Sequence, residues 1–337
     1  MKNYASFAGL AILTFVASQI VWAANSVDAA KTEQAVALLK SAVAAKVSAL
    51  PPLSADELDA PPNILRTPGH IAALRDHPDA PEMIIIPAGE FTMGAEPEAA
   101  PAAASSSHLP VGGGLTGRKR IRIGYAFAFS KYPITVGQFA KFVSETHYDA
   151  GDVCQVTEEG PTKGHNWRNP GFSQTDNDPV VCVNYDDSVA YLEWLSKKTG
   201  QKYRLPSDSE YEYVNRAGTS TRYWWGDAIG KGHATCGGCG TKWDEKQPAP
   251  VGSFPANPFG VHDTTGNVWS RTRDCWNAEL QNTPADGSPS LTGDCAKRVF
   301  RAGGFRSNPL NLRSALRHST GQERRFNDDG FHAVRVL

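Results

Sequence analysis

The sequence predicts an α+β fold rich in irregular structure, and three observations carry that expectation. Helical periodicity with start and stop signals occurs in three short stretches of the main body, all before Gly218. Short strand-like segments lie on both sides of them. Glycine and proline number 31 and 23 among 337 residues, beside eight Trp and ten Tyr, which points to loops pinned by aromatic packing rather than to long helices.

The N-terminus reads as an export signal over residues 1–23. Lys2 supplies a positive start, residues 8–17 are mostly apolar and short for a bilayer span, and Val21-Trp22-Ala23 offers small residues for cleavage after Ala23. No cysteine follows the apolar stretch, which argues against a lipoprotein, and no second apolar run of about 18 residues appears. The expected location is periplasmic or secreted, with no stable membrane insertion after cleavage. A net charge of −1 gives no global attraction to nucleic acid.

Residues 24–80 read as a helical extension and a Pro-rich linker. Val36, Leu39, Val43 and Val47 form one stripe of an amphipathic helix over 32–50, a surface for packing or self-association. Pro51-Pro52 ends it, and Pro61, Pro62, Pro68, Pro78 and Pro81 leave little room for regular structure.

The body, 81–337, opens with strand, turn and strand over 83–94. Residues 95–117 are low in complexity and read as a surface loop. Residues 121–129 alternate like one strand. Thr135 and Gln138 form a capping-box pattern before Phe139, Phe142 and Val143. Asp186 reads as the cap of a second helix that Gly200 stops. Ser207 and Glu210 form another capping box, with Gly218 at the stop.

Six cysteines beyond an export signal read as disulfides: Cys154, Cys182, Cys236, Cys239, Cys275 and Cys295. Spacing alone does not choose among their pairings. Cys236-Gly237-Gly238-Cys239 reads as a local disulfide, with a redox CxxC or half a zinc site as alternatives.

Five strings then stand in an order that resembles one family. Residues 83–94 resemble "MVxIPGGxFxMG", residues 203–213 "RLPTEAEWEYA", residues 254–269 "FPPNPFGLYDMxGNVWEW", residues 301–305 "RGGSW", and Gly330-Phe331 the closing "GFR". The chain so resembles the formylglycine-generating enzyme, or sulfatase-modifying factor, family. The resemblance implies a fold related to the C-type lectin fold. It also implies the pairings 154–182 and 275–295, the latter from a "DCW…GDC" element at Asp274-Cys275-Trp276 and Gly293-Asp294-Cys295, leaving 236–239.

Formylglycine-generating enzymes oxidise a peptidyl cysteine of a sulfatase and bind copper through two cysteines between the "GGS" and "GFR" motifs. Soft thiolates suit Cu(I). Here Ser314 stands at one thiolate position and Pro309 at the other, so copper is not expected there. Iron needs two His and a carboxylate, and the sequence shows no HxH or HExxH; the iron question stays open, with His262, His318 and His332 in or beside the motif regions. The family's calcium element falls on Asp263, the carbonyls of Gly266 and Val268, and Ser270 in place of the usual Glu. Losing that carboxylate and gaining the nearby cation of Arg271 weakens the implied structural calcium site or abolishes it. Arg271, in place of an aromatic, could pair with Asp263 or Asp274.

The strongest hint from the residues themselves is basic. Lys297, Arg298, Arg301, Arg306, Arg313, Arg317, Arg324 and Arg325 stand against one acid, Glu323. The resemblance places this segment along the substrate cleft. Arginine forks suit carboxylate, sulfate or phosphate. Scaffold ion pairing is the equal alternative. The expected cleft residues are Arg306, Arg313, Ser314, Arg317 and His318, with Trp269 and Phe305 as an apolar wall. Two functions stay open: a metal-dependent oxidase of a peptide or small anionic molecule, and a non-catalytic, lectin-like binding module.

Overall fold

The computed structural model describes residues 73–96, 117–157 and 160–337. The expected signal, the 32–50 helix and most of the 95–117 loop lie outside the described residues. The strands are β1 (Ala73–Leu74), β2 (Met83–Ile86), β3 (Gly89–Ala95), β4 (Gly117–Ile123), β5 (Phe127–Ser130), β6 (Val153–Thr157), β7 (Gly160–Lys163), β8 (Tyr203–Arg204), β9 (Trp269–Trp276), β10 (Asp294–Arg301), β11 (His318–Gly321), β12 (Asp329–Gly330) and β13 (Val334–Val336). The helices are α1 (Val136–Thr146), α2 (Tyr185–Thr199) and α3 (Asp208–Arg216). Few helices and much irregular chain make this the expected mixed fold.

A five-stranded antiparallel sheet runs β1-β2-β5-β13-β8. Its side chains alternate between two cores, as the pleat requires. Met83, Ala128 and Ala333 join the aromatic cluster of α1 and α2, with Phe139, Phe142, Tyr191 and Trp194. Ile84, Ile86, Phe127, Phe129 and Val334 join Tyr211, Tyr213 and Val214 of α3. A four-stranded sheet, β11-β10-β9-β12, carries the motif-rich C-terminal half.

The folded body starts earlier than Pro81. Ala73 and Leu74 pair with Ile84 and Met83. Asp76 accepts from the Tyr203 hydroxyl at 2.5 Å and from Arg335 at 2.8 Å. Pro78 lies within, and Pro81 directly after, a turn closed by Ala80 N–H on the His77 carbonyl at 2.9 Å, so residues 73–80 belong to the folded body.

Both Ser/Thr capping boxes form, Thr135 with Gln138 and Ser207 with Glu210. Asp186 is not the cap of α2. Asn184 is, in a capping box with Asp187, and Asp186 sits in the first turn. Helix α3 ends on Ala217 in the left-handed conformation, one residue before Gly218. The alternating 121–129 segment is two strands: β4 pairs with β3, while β5 joins the main sheet. The bridges are Cys154–Cys182, Cys236–Cys239 and Cys275–Cys295, as expected.

Candidate functional site

Helix α3 organises the basic cluster from inside. Asp208 and Glu212 lie one turn apart and are fully buried. Asp208 meets Arg301 at 2.5 Å and Arg317 at 2.7 Å. Glu212 meets Arg301 at 3.0 Å and Arg216 at 2.8 Å. Burial opposes ionisation of Asp208, but the charges of Arg301 and Arg317 outweigh it and hold its carboxyl below the usual value. Asp274 accepts from the Asp208 amide at 2.8 Å, and burial together with the Asp208 charge pushes it up to about 7. Arg325 pairs with Asp187 at 2.7 Å.

Most of the cluster is therefore scaffold, which corrects several expected cleft residues. Arg317 is 2% exposed and also covers the Trp276 ring at 5.2 Å. Trp269 is buried against Phe300 and Leu316, with His318 tilted on its ring at 5.4 Å. Burial lowers the pKa of His318. Phe305 is fully buried, edge-on to Phe172. Arg271 pairs with Asp329 at 3.0 Å, not with Asp263 or Asp274.

Arg306 and Arg313, like His318, are only partly buried. Arg306 donates to the Val156 carbonyl at 3.2 Å and to Asn327 Oδ1 at 3.0 Å, and lies 4.9 Å from the Phe305 ring centroid. Both oxygens are neutral, so its charge is positioned without being cancelled. Arg313 donates from Nε to the Leu310 carbonyl at 2.7 Å.

The two positions of the family's thiolates lean on one segment that the sequence reading passed over. Pro309 opens a 3-10 turn, Pro309–Leu312, and its carbonyl accepts from the Tyr223 hydroxyl at 2.9 Å. Ser314 is 1% exposed, its amide donates to the Arg222 carbonyl at 2.8 Å, and its hydroxyl is buried with no hydrogen-bond partner. Proline has no donor to copper, and a serine hydroxyl is a poor Cu(I) ligand. These residues do not fit the metal. Tyr223 stacks on Trp225 at 5.1 Å, and Trp225 on His233 at 4.9 Å. The Tyr-Trp-Trp run at 223–225 was the signal for this aromatic wall.

The calcium element does not fit its ion either. Asp263 is buried; Oδ2 accepts from the Gly252 amide at 2.9 Å and Oδ1 has no partner. Burial pushes its carboxyl up to about 6, against the opposing pull of the Gly252 amide and Asn267. Ser270 Oγ is engaged with His332 Nδ1 at 3.3 Å, and His332 stands where the closing motif has Arg. Burial drops His332 to about 3, so it is neutral. One carboxylate beside a neutral imidazole is too little negative charge for calcium at Asp263, Gly266 and Val268. Nor do His262, His318 and His332 converge: among the described residues no group of three or more His, Cys, Asp or Glu side chains is placed to hold a metal ion.

This combination of fold and motif geometry defines a sulfatase-modifying-factor type of domain. The family described as "Sulfatase-modifying factor enzyme 1-like domain" matches residues 71–337, and the chain belongs to it. It is 32% identical over 244 residues to the formylglycine-generating enzyme of Mycobacterium tuberculosis, covering 57% of this chain and 73% of that one. It is 25% identical over 291 residues to the inactive C-alpha-formylglycine-generating enzyme 2 of Mus musculus, covering 71% and 87%. The solved structure of PvdO from Pseudomonas aeruginosa superposes with a TM-score of 0.68 at 29% identity, over 79% of this chain and 98% of that one.

Proposed function

We propose that this chain is an exported family member that binds a peptide or small anionic ligand beside Arg306, without the copper–thiolate oxidation of formylglycine-generating enzymes. The observation that carries this reading is the state of Arg306. It is partly buried rather than enclosed and is oriented by two neutral oxygens and a ring, so a carboxylate, sulfate or phosphate can still neutralise it. The residues at positions 309 and 314 support the loss of the copper reaction. So does the mouse relative, whose name describes the same domain type as inactive.

Export is supported by three disulfides, which persist in oxidising compartments. Among the described residues no helix is long and apolar enough to cross a membrane. The near-neutral net charge favours a small anion or an acidic peptide over nucleic acid.

Calorimetric titration with citrate and with a short Glu-rich peptide tests the reading. Binding is expected to weaken with salt, and Arg306→Ala to weaken it by about tenfold or more. Equal affinity in the variant rejects Arg306 as the ligand residue.

A further inference from the structure

The Cys236–Cys239 bridge lies against the segment that carries the candidate site. Gly237 N–H donates to the Ser307 carbonyl at 2.9 Å, and Glu245 N–H to the Phe305 carbonyl at 3.0 Å. Leu312 packs in one apolar cluster with Cys236, Cys239 and Tyr223. The loop is therefore docked on the 305–312 stretch from both of its ends.

As a brace this bridge contributes least of the three. It closes a sequence separation of 3, against 28 and 20 for the others, and constraint of the unfolded chain grows with loop length. The loop is also held without it. Asp244 accepts from Thr235 Oγ1 at 2.9 Å, Cys236 N–H at 3.4 Å, Gly240 N–H at 2.6 Å, Thr241 N–H at 3.1 Å and Thr241 Oγ1 at 2.5 Å. One carboxylate thus gathers both flanks of the CxxC, and the sulfur–sulfur bond can open while the loop keeps its shape.

The two cysteines, both buried, are not equally enclosed. Cys236 is fully enclosed, while Cys239 is 3% exposed and is flanked by exposed Gly238 and Gly240. A Cβ built on Gly238 would meet nothing within 4 Å, so bare backbone covers that side. The Lys231 side chain runs along Gly240, bringing a cation near the more open end. Cations favour thiolate at such a position.

We propose that Cys236–Cys239 is a reversible redox couple that exchanges with the thiol of a cysteine-containing peptide, with Cys239 as the sulfur attacked. A peptide thiolate forms a bond to Cys239 Sγ, the 236–239 bond breaks, and Cys236 leaves as a thiolate that takes up a proton. A second peptide thiol, once deprotonated, displaces Cys239 from the mixed disulfide. Two peptide thiols become one disulfide, and the protein disulfide becomes two thiols. A low-molecular-weight disulfide such as oxidised glutathione restores the couple.

The test uses the whole oxidised, folded protein. A peptide with a single cysteine is added without oxygen, the reaction is quenched with acid and N-ethylmaleimide, and adducts are mapped by mass spectrometry. The expected result is peptide on Cys239 and maleimide on Cys236. With a two-cysteine peptide, about one peptide disulfide should form per chain, and many per chain once oxidised glutathione is present. The Cys236→Ala/Cys239→Ala variant should lose this, while Cys275→Ala/Cys295→Ala keeps it. No adduct on the folded protein, or peptide oxidation unchanged in the first variant, overturns the proposal. Because Arg306 takes no part in the exchange, this outcome is separate from that of the anion titration.

Discussion

Asp208 joins Arg301 at 2.5 Å to Arg317 at 2.7 Å, so one buried carboxylate binds two arginines lying 93 and 109 residues away in sequence. All three side chains are at most 2% exposed. Removing the acid leaves two cations in the interior. Asp208→Ala is therefore expected to cost about 3–5 kcal/mol of stability, measured by denaturant unfolding. The pH dependence follows from the lowered carboxyl. Its stabilisation is present above the unfolded value of about 4 and is lost as pH falls through the lower folded value. Wild type should lose this contribution in acid, and the variant should not.

Asp263 has the opposite sign. Its carboxyl is raised to about 6 by burial, so the folded state holds its proton more tightly than the unfolded chain does. Its favourable contribution is complete below about pH 4 and disappears as pH rises through about 6. Relative to Asp263→Asn, wild type should lose about 2 kcal/mol between about pH 4 and about pH 8. Parallel unfolding curves at the two pH values measure the difference, and a gap independent of pH contradicts the assignment.

The same residue gives a cation test. With Ser270 taken up by His332, and no group of three or more His, Cys, Asp or Glu side chains placed to hold a metal ion among the described residues, calcium should find no site at Asp263. Melting temperature is expected to be the same in calcium and in chelator. A rise with calcium would show that the Gly266 and Val268 carbonyls complete a site after all.

Ser314 gives a different kind of expectation. Its hydroxyl is buried without a partner, so it contributes desolvation cost and no bond. Ser314→Ala should be neutral, or stabilising by up to about 1 kcal/mol, with ligand affinity unchanged. A loss of binding in that variant would mean that the hydroxyl faces the ligand.

Local chemistry was legible in the sequence, and distant pairing was not. The boxes at Thr135/Gln138 and Ser207/Glu210 could be read because all their partners lie within one turn. Asn184 was missed because its box closes on Asp187, among neighbouring acids that also read as caps. Continuous alternation over 121–129 concealed a change of sheet, since period two reports the pleat but not the partner strand. The arginine cluster could not be sorted from its own stretch of chain. Arg301 and Arg317 are distinguished from Arg306 by the buried acids of α3, Asp208 for both and Glu212 for Arg301, which lie far from them in sequence. Ser314 and Pro309 were readable once the five ordered motifs fixed their place, whereas the Tyr223–Trp225–His233 stack beside them needed the fold.

The central claim is that this domain keeps its family's fold while lacking the residues for its copper–thiolate reaction. Its most direct test is co-expression with a cysteine-type sulfatase, followed by mass spectrometry of the sulfatase active-site peptide. The cysteine should remain unconverted. Conversion of that cysteine to formylglycine by this chain would contradict the claim.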